Sequence, residues 1–144
     1  MIALNAEVEQ RIRVEGEKAY PNECCGFLLG PPPSAHSGEK RIDGIAAVEN
    51  AWEPGEQYHR FVITPEDFMH AEKEALKQNR EILGIYHSHP DHPARPSDYD
   101  REQAMPYYSY IIVAVEKAKA HEVTSWNLTA DRDHFLEEEV TVWQ

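Results

Sequence analysis

Along the first stretch of the chain, apolar Val8, Ile12 and Ala19 stand among charged residues at helical spacing, so the pattern predicts a helix over 5–19. Asn5 is its candidate cap and Pro21 stops it. The run 24–30, Cys-Cys-Gly-Phe-Leu-Leu-Gly, is apolar and bounded by turn formers, which predicts a buried strand. Residues 31–38 are rich in Pro, Ser and Gly and read as a loop. Strands are expected over 41–49 and 58–63. Thr64-Pro65-Glu66-Asp67 is a helix start, with Thr64 as cap and Pro65 in the first helical position. That helix is expected to reach Asn79 with Phe68, Ala71, Ala75 and Leu76 on its apolar face. Residues 81–89 read as a strand leading into the proline loop 90–96, and Ser97 opens a short helix. Residues 108–115 are a continuous strand signal, followed by strands over 121–129 and 134–142. Helices and strands alternate irregularly, with adjacent strands at the end. The expected class is α/β (α+β), a mixed β-sheet flanked by helices.

A length of 144 residues suits one domain, 1–144, large enough to bury a core without disulfides. The balance of 14 Lys+Arg against 26 Asp+Glu gives a formal charge of -12. Such a surface repels nucleic-acid phosphates and anionic membranes, so neither is an expected partner. The run Glu137-Glu138-Glu139 reads as solvated surface. The two cysteines, Cys24 and Cys25, are adjacent, and a disulfide between neighbours is strained. They read as reduced thiols that pack as small apolar residues. No signal-peptide pattern opens the chain, and no apolar run approaches the roughly 20 residues that span a bilayer. A cytoplasmic location is the expectation.

The chemistry concentrates in 86–100, Tyr-His-Ser-His-Pro-Asp-His-Pro-Ala-Arg-Pro-Ser-Asp-Tyr-Asp. Side chains two apart on a strand share a face, so His87 and His89 can converge on one ion while Ser88 points away. Pro90 helps end the strand. A catalytic zinc takes three protein ligands and keeps one position open for water. Asp100, at the start of the helix after the loop, is the candidate third ligand. Glu23 is the candidate base, provided that strand 24–30 pairs beside strand 82–89. Taken alone, His-x-His on a strand is commonly incidental. Ser97-Asp98-Tyr99-Asp100 also fits the acidic form of a helix capping box, in which Asp100 would be occupied by backbone rather than by metal.

His87-Ser88-His89-Pro90, six residues, then Ser97-x-x-Asp100 resembles the signature of the JAMM (MPN+) metallopeptidases. The upstream segment Pro21-Asn22-Glu23-Cys24-Cys25-Gly26 resembles that family's Pro-x-Glu-x-Cys-Gly. Val48-Glu49-Asn50, Tyr58 to Ile63, the helix from Pro65, Gly84-Ile85-Tyr86 and the strand 110–115 are similar to its short bacterial members, so the likeness covers most of the chain. It implies a JAMM/MPN fold similar to cytidine deaminases. It also implies Zn2+ on His87, His89 and Asp100, Glu23 as the group that activates water, and Ser97 as a donor to the tetrahedral oxyanion. The short members resemble sulfur-carrier-protein (CysO-cysteine) peptidases. The implied partner is therefore a ubiquitin-like sulfur carrier of the ThiS/MoaD type, cut after its C-terminal Gly-Gly. Two alternatives stand beside this: a catalytically silent MPN-type scaffold, and a RadC-like DNA-associated protein, against which the charge argues. His92 reads as an exposed loop residue, His36, His59, His70, His121 and His134 as surface or core, and Trp52, Trp126 and Trp143 as packing residues.

Overall fold

The computed structural model describes all 144 residues. Strand β1 (Ile2–Asn5) leads into α1 (Ala6–Ala19), whose first turn is capped by the Asn5 side chain accepting from the Glu7 amide. Then follow β2 (Cys25–Gly30), β3 (Lys40–Ile42), β4 (Gly44–Val48) and α2 (Pro65–Lys77). β5 (Glu81–Pro90) runs through the proline loop into α3 (Asp98–Gln103). The chain closes with β6 (Ser109–Glu116), β7 (Lys119–Leu128), β8 (Phe135–Glu138) and β9 (Val140–Trp143).

Two sheets result. The larger has the order β4-β2-β5-β6-β7-β8 and the smaller β3-β1-β9. In the larger sheet β5 and β6 run parallel and the other pairs are antiparallel. This is the expected mixed sheet flanked by helices. One face of it packs on α1 and the small sheet, through Val8, Ile12, Leu28, Tyr86, Ile111, Val113 and Val115 with Ile2, Leu4 and Ile42. Gly16 allows the close approach of α1, because a methyl there would meet Val115 Cγ2 at 2.9 Å. The other face carries α2, through Phe27, Ala71 and Ile82, and the proline loop, through Ala94 against Ile112 and Ala114.

Several boundaries differ from the sequence pattern, each for a physical reason. The stretch 41–49 is two strands, β3 and β4, in different sheets, with the chain turning at Asp43. The stretch 134–142 likewise splits into β8 and β9. β1 is too short to display a period. Residues 58–63 form no strand; they are tied down by single contacts, such as Ala51 N to Val62 O at 3.0 Å. Leu76 does not join the buried face of α2 and is 73% exposed. At 100° per residue it lies roughly 100° around the helix from the stripe of Phe68, Ala71 and Ala75. Within the acidic run, Glu138 is half-buried and accepts from the Ser125 hydroxyl at 2.8 Å, so one member serves the fold. No helix is long and apolar enough to cross a membrane.

Gly84 lies opposite Ser109 on β6, and a Cβ there would stand 2.1 Å from the Ser109 carbonyl oxygen. Gly84→Ala is expected to destabilise the protein by about 1–3 kcal/mol through forced separation of the two strands. Chemical denaturation checks this, and an unchanged midpoint would contradict the close approach.

Candidate metal centre

β2 and β5 pair antiparallel with Cys25 opposite His87 and Gly26 opposite Tyr86. This supplies the condition that the sequence left open for Glu23, which immediately precedes Cys24 at the end of β2 that meets the histidines. The junction is laced twice, by Ser88 N donating to Cys24 O at 3.2 Å and by Cys24 N donating to Ser88 Oγ at 2.8 Å. Ser88 is fully buried toward α1, and His87 and His89 take the opposite face, as the strand period requires.

The donor atoms of the two histidines and Asp100 converge. His87 Nε2 and His89 Nε2 are 3.1 Å apart, and Asp100 Oδ2 is 3.2 Å from His89 Nε2 and 3.4 Å from His87 Nε2. A tetrahedral ion with bonds of about 2.0–2.1 Å has ligand-to-ligand edges of roughly 3.3–3.4 Å, so this triangle fits such an ion closely. Protonation supports the same reading. His89 Nδ1 lies 2.9 Å from the Pro93 carbonyl oxygen, which only accepts, so Nδ1 carries a proton and Nε2 is the nitrogen turned toward the other two donors. Burial lowers the His87 pKa and favours the neutral ring, although Asp100 pulls the other way. His87 is 1% exposed and stacks on Phe61 at 4.6 Å between ring centroids. Burial opposes ionisation of Asp100. His87, through charge and hydrogen bond, then His89 and the Ser97 amide outweigh it and hold the carboxyl well below its ordinary range. A carboxylate held ionised against two imidazole Nε2 atoms is a donor set that a divalent cation binds by displacing the protons between them.

The two sequence readings of Asp100 turn out to be compatible. Its Oδ2 accepts from Ser97 N at 2.9 Å while Ser97 Oγ accepts from Asp100 N at 3.0 Å, a complete capping box. The same oxygen faces the histidines. Capping therefore positions the carboxylate rather than consuming it.

The proline loop is held from below. Ala94 is buried, its amide donates to Glu122 at 3.2 Å, and its carbonyl accepts from Thr124 Oγ1 at 2.7 Å. Glu23 is 6% exposed, and its Oε1 is buried without a partner. Burial, then the Asp100 charge, pushes its pKa up to about 9. Cys24 and Cys25 are free and buried, burial pushes the Cys24 thiol up to about 11, and neither is among the converging donors. Ser97 reaches the cleft with Glu23 and His89. The expected five residues are thus brought to one place. His92 and His59 are exposed at the cleft wall but outside the ligand cluster.

Two contributors were not legible. Asn50, expected only as part of a likeness, donates through Nδ2 to the carbonyls of Glu23 (3.2 Å) and Arg60 (3.0 Å). Its Oδ1 accepts from Trp52 and Val62. Trp52, read as a packing residue, packs edge-on against Tyr99, next to Asp100, with Arg60 over both rings. The Asn50–Trp52 bond is local, but the Glu23, Arg60 and Tyr99 partners lie ten or more positions away, and no local pattern signals them.

With this geometry in hand, comparison with known proteins identifies relatives. The model of the prokaryotic homologues of the JAB domain matches residues 5–129. The tail tip assembly protein K of Escherichia phage N15 is 32% identical over 85 residues, 58% of this chain and 28% of that protein. The desampylase of Pyrococcus furiosus is 34% identical over 80 residues, 56% of this chain and 50% of the enzyme. The desampylase of Haloferax volcanii is 33% identical over 107 residues, 72% of this chain and 71% of the enzyme. The matches thus span half or less of the first two relatives. Among solved structures, a protein from Desulfitobacterium hafniense superposes with TM-score 0.85 at 28% identity, covering 100% of this chain and 94% of that one. A JAB1/MPN domain protein from Archaeoglobus fulgidus, at 19% identity and TM-score 0.60 with both chains fully covered, shares the fold.

Two measurements follow from the site. The protein is expected to take up about one divalent transition ion per chain, and His89→Ala to lose it, by elemental analysis after dialysis. Equal uptake by both would move the site elsewhere. In the metal-free protein the raised Glu23 pKa means that the folded chain keeps a proton which the unfolded chain releases above about 4.5. Stability therefore falls as pH rises from about 4.5 to about 9, and Glu23→Gln removes that contribution. The drop in Tm between pH about 5 and about 8 should be smaller in the variant than in the wild type. Matching drops would give Glu23 an ordinary environment.

Proposed function

The chain belongs to the family of prokaryotic homologues of the JAB domain, and from that premise we propose that it is a zinc metallopeptidase releasing a ubiquitin-like protein from an adduct on its C-terminal Gly-Gly. The observation that carries this reading is the convergence of three lone-pair donors, His87, His89 and Asp100, beside a buried carboxyl, Glu23. Two imidazoles and one carboxylate with a position left open suit zinc. Such an ion supplies Lewis acidity, polarising the scissile carbonyl and lowering the pKa of water.

The remaining roles fall to the chain. Glu23 takes a proton from the attacking water and passes it to the leaving amine. Glu23 owes its raised pKa first to burial and then to the Asp100 charge, and neutralising that charge on metal binding would bring the carboxyl closer to the range that a proton shuttle needs. Ser97 Oγ already accepts from the Asp100 amide, which leaves its own proton free to donate to the oxyanion. His87, half enclosed by Phe61, and His89, braced by Pro93, keep their donor atoms fixed throughout.

The substrate class is supported by two desampylase relatives, hydrolases of ubiquitin-like protein conjugates. A Gly-Gly tail has no side chains to exclude it from a narrow cleft and can enter extended. A sulfur carrier of the ThiS/MoaD type is our preferred partner. A silent scaffold finds no support in a site with all five positions filled, and the charge of -12 disfavours the DNA-associated reading.

The zinc-loaded protein should release the carrier from a Gly-Gly-linked adduct, with a mass gain of one water summed over the products. Glu23→Gln should retain zinc and lose activity by about 100-fold or more, the scale of a missing acid–base group. Intact adducts from several such carriers after prolonged incubation would rule the substrate class out.

A further inference from the structure

β2 begins at Cys25, and the bonds to Ser88 reach back only to Cys24. Glu23 therefore lies just beyond the last contact that the larger sheet supplies. Its side chain adds no anchor at Oε1, which is buried without a partner. The place of the carboxyl is set through the main chain that carries it.

The segment 50–62 holds that main chain. Glu23 N donates to the Gln57 carbonyl at 2.8 Å, and the Glu23 carbonyl accepts from Asn50 Nδ2 at 3.2 Å. Both polar groups of the Glu23 main chain are thus taken up by this segment rather than by a strand. The two residues that grip Glu23 also grip one another. A single turn, Pro54–Glu56, returns Gln57 to the start of the segment. There its Nε2 donates to the carbonyls of Asn50 at 3.0 Å and Trp52 at 2.7 Å. Asn50 is 9% exposed and uses all that a primary amide offers. Its Nδ2 donates to Glu23 and Arg60, and its Oδ1 accepts from Trp52 and Val62. A buried network with every member bonded is rigid and specifies one arrangement. Gln57 bonds none of the candidate metal ligands, which are braced separately by Phe61, Pro93 and Ser97.

We infer that Asn50 and Gln57 are positioning residues, which clamp the main chain of Glu23 and so set the reach of its carboxyl toward the metal centre. The inference rests on the peptidase reading for the role of Glu23. A group that moves a proton must stand within hydrogen-bond reach of it, and a misplacement of about 1 Å can cost about 100-fold in rate. Loosening the clamp should therefore slow turnover while the metal ligands and the substrate contacts stay in place.

The test compares the zinc-supplemented full-length wild type with Gln57→Met and Asn50→Asp. Gln57→Met keeps the length of the side chain and removes both donations from Nε2. Asn50→Asp keeps Oδ1 for Trp52 and Val62 and removes the donation to Glu23. Each variant should retain about one zinc per chain. Each should lower kcat on a Gly-Gly-linked carrier adduct by about tenfold or more, with KM within about twofold of the wild type. Amide hydrogen exchange gives a second readout that needs no turnover. Glu23 N–H, bonded to Gln57, should exchange about tenfold or more faster in the variants, whereas Cys24 N–H, bonded to Ser88 Oγ, should keep its protection. Gln57 is half-buried and bonds no candidate ligand, so its variant decides if thermal melting shows that Asn50→Asp does not fold. A folded, zinc-loaded Gln57→Met with wild-type kcat, or with an unchanged ratio of Glu23 to Cys24 exchange, overturns the inference. A loss expressed in KM or in zinc content overturns it as well. A wild type that cleaves no adduct sinks the peptidase reading instead, and the exchange ratio still decides the clamp.

Discussion

Everything at the metal centre depends on the register between β2 and β5. The candidate ligand histidines sit on β5 and the candidate proton shuttle is the residue before Cys24, more than sixty positions earlier. Cys25 opposite His87 brings them together, and a slip of one residue would turn the histidines into the α1 core and Ser88 out toward the ligands. Two features hold that register. Ser88 closes a side-chain bond to the Cys24 amide, and Gly26 leaves space for the Tyr86 ring, whose carbons would stand 2.5 Å from a methyl there. The serine between the two histidines thus belongs to the mechanism only through the fold.

The third ligand shows how local structure and chemistry reinforce one another. A helix start leaves amide donors unsatisfied, and Ser97 and Asp100 satisfy two of them reciprocally. Reciprocal bonding fixes the side-chain torsions of Asp100 before any ion arrives, which lowers the entropy lost on coordination. The loop before it contributes in the same way. Pro93 offers its carbonyl to His89, and Ala94 is anchored to β7. Ligands on a strand and on a helix are therefore braced through the segment that joins them.

These arrangements explain what was legible in the sequence. His87, His89, Ser97 and Asp100 fall within one short segment, so strand period and capping grammar placed them. α1, α2 and the mixed sheet were legible for the same reason, because each carries its own periodicity or cap. Glu23 needed a pairing between distant strands, which periodicity does not encode, so the residues named it only on that condition and the likeness to a family added the rest. The splitting of 41–49 and 134–142 between two sheets was hidden, since β3 and β9 are recruited by β1, a strand of four residues with no pattern of its own. The same reasoning covers 58–63. Its apolar run Phe61-Val62-Ile63 suits a strand, but Asn50 satisfies the backbone groups of Arg60 and Val62 that a neighbouring strand would have bonded.

That substitution of a side chain for a strand has a consequence for recognition. A ladder would have aligned 58–63 with the sheet and spread its side chains across both faces. Held at Asn50 instead, the segment presents consecutive residues to different neighbours: Arg60 to the rings of Trp52 and Tyr99, and Phe61 to His87. The wall of the site changes from cationic to apolar within one residue. One buried asparagine thereby sets both the position of Glu23 and the contrast between the two walls beside the candidate metal centre.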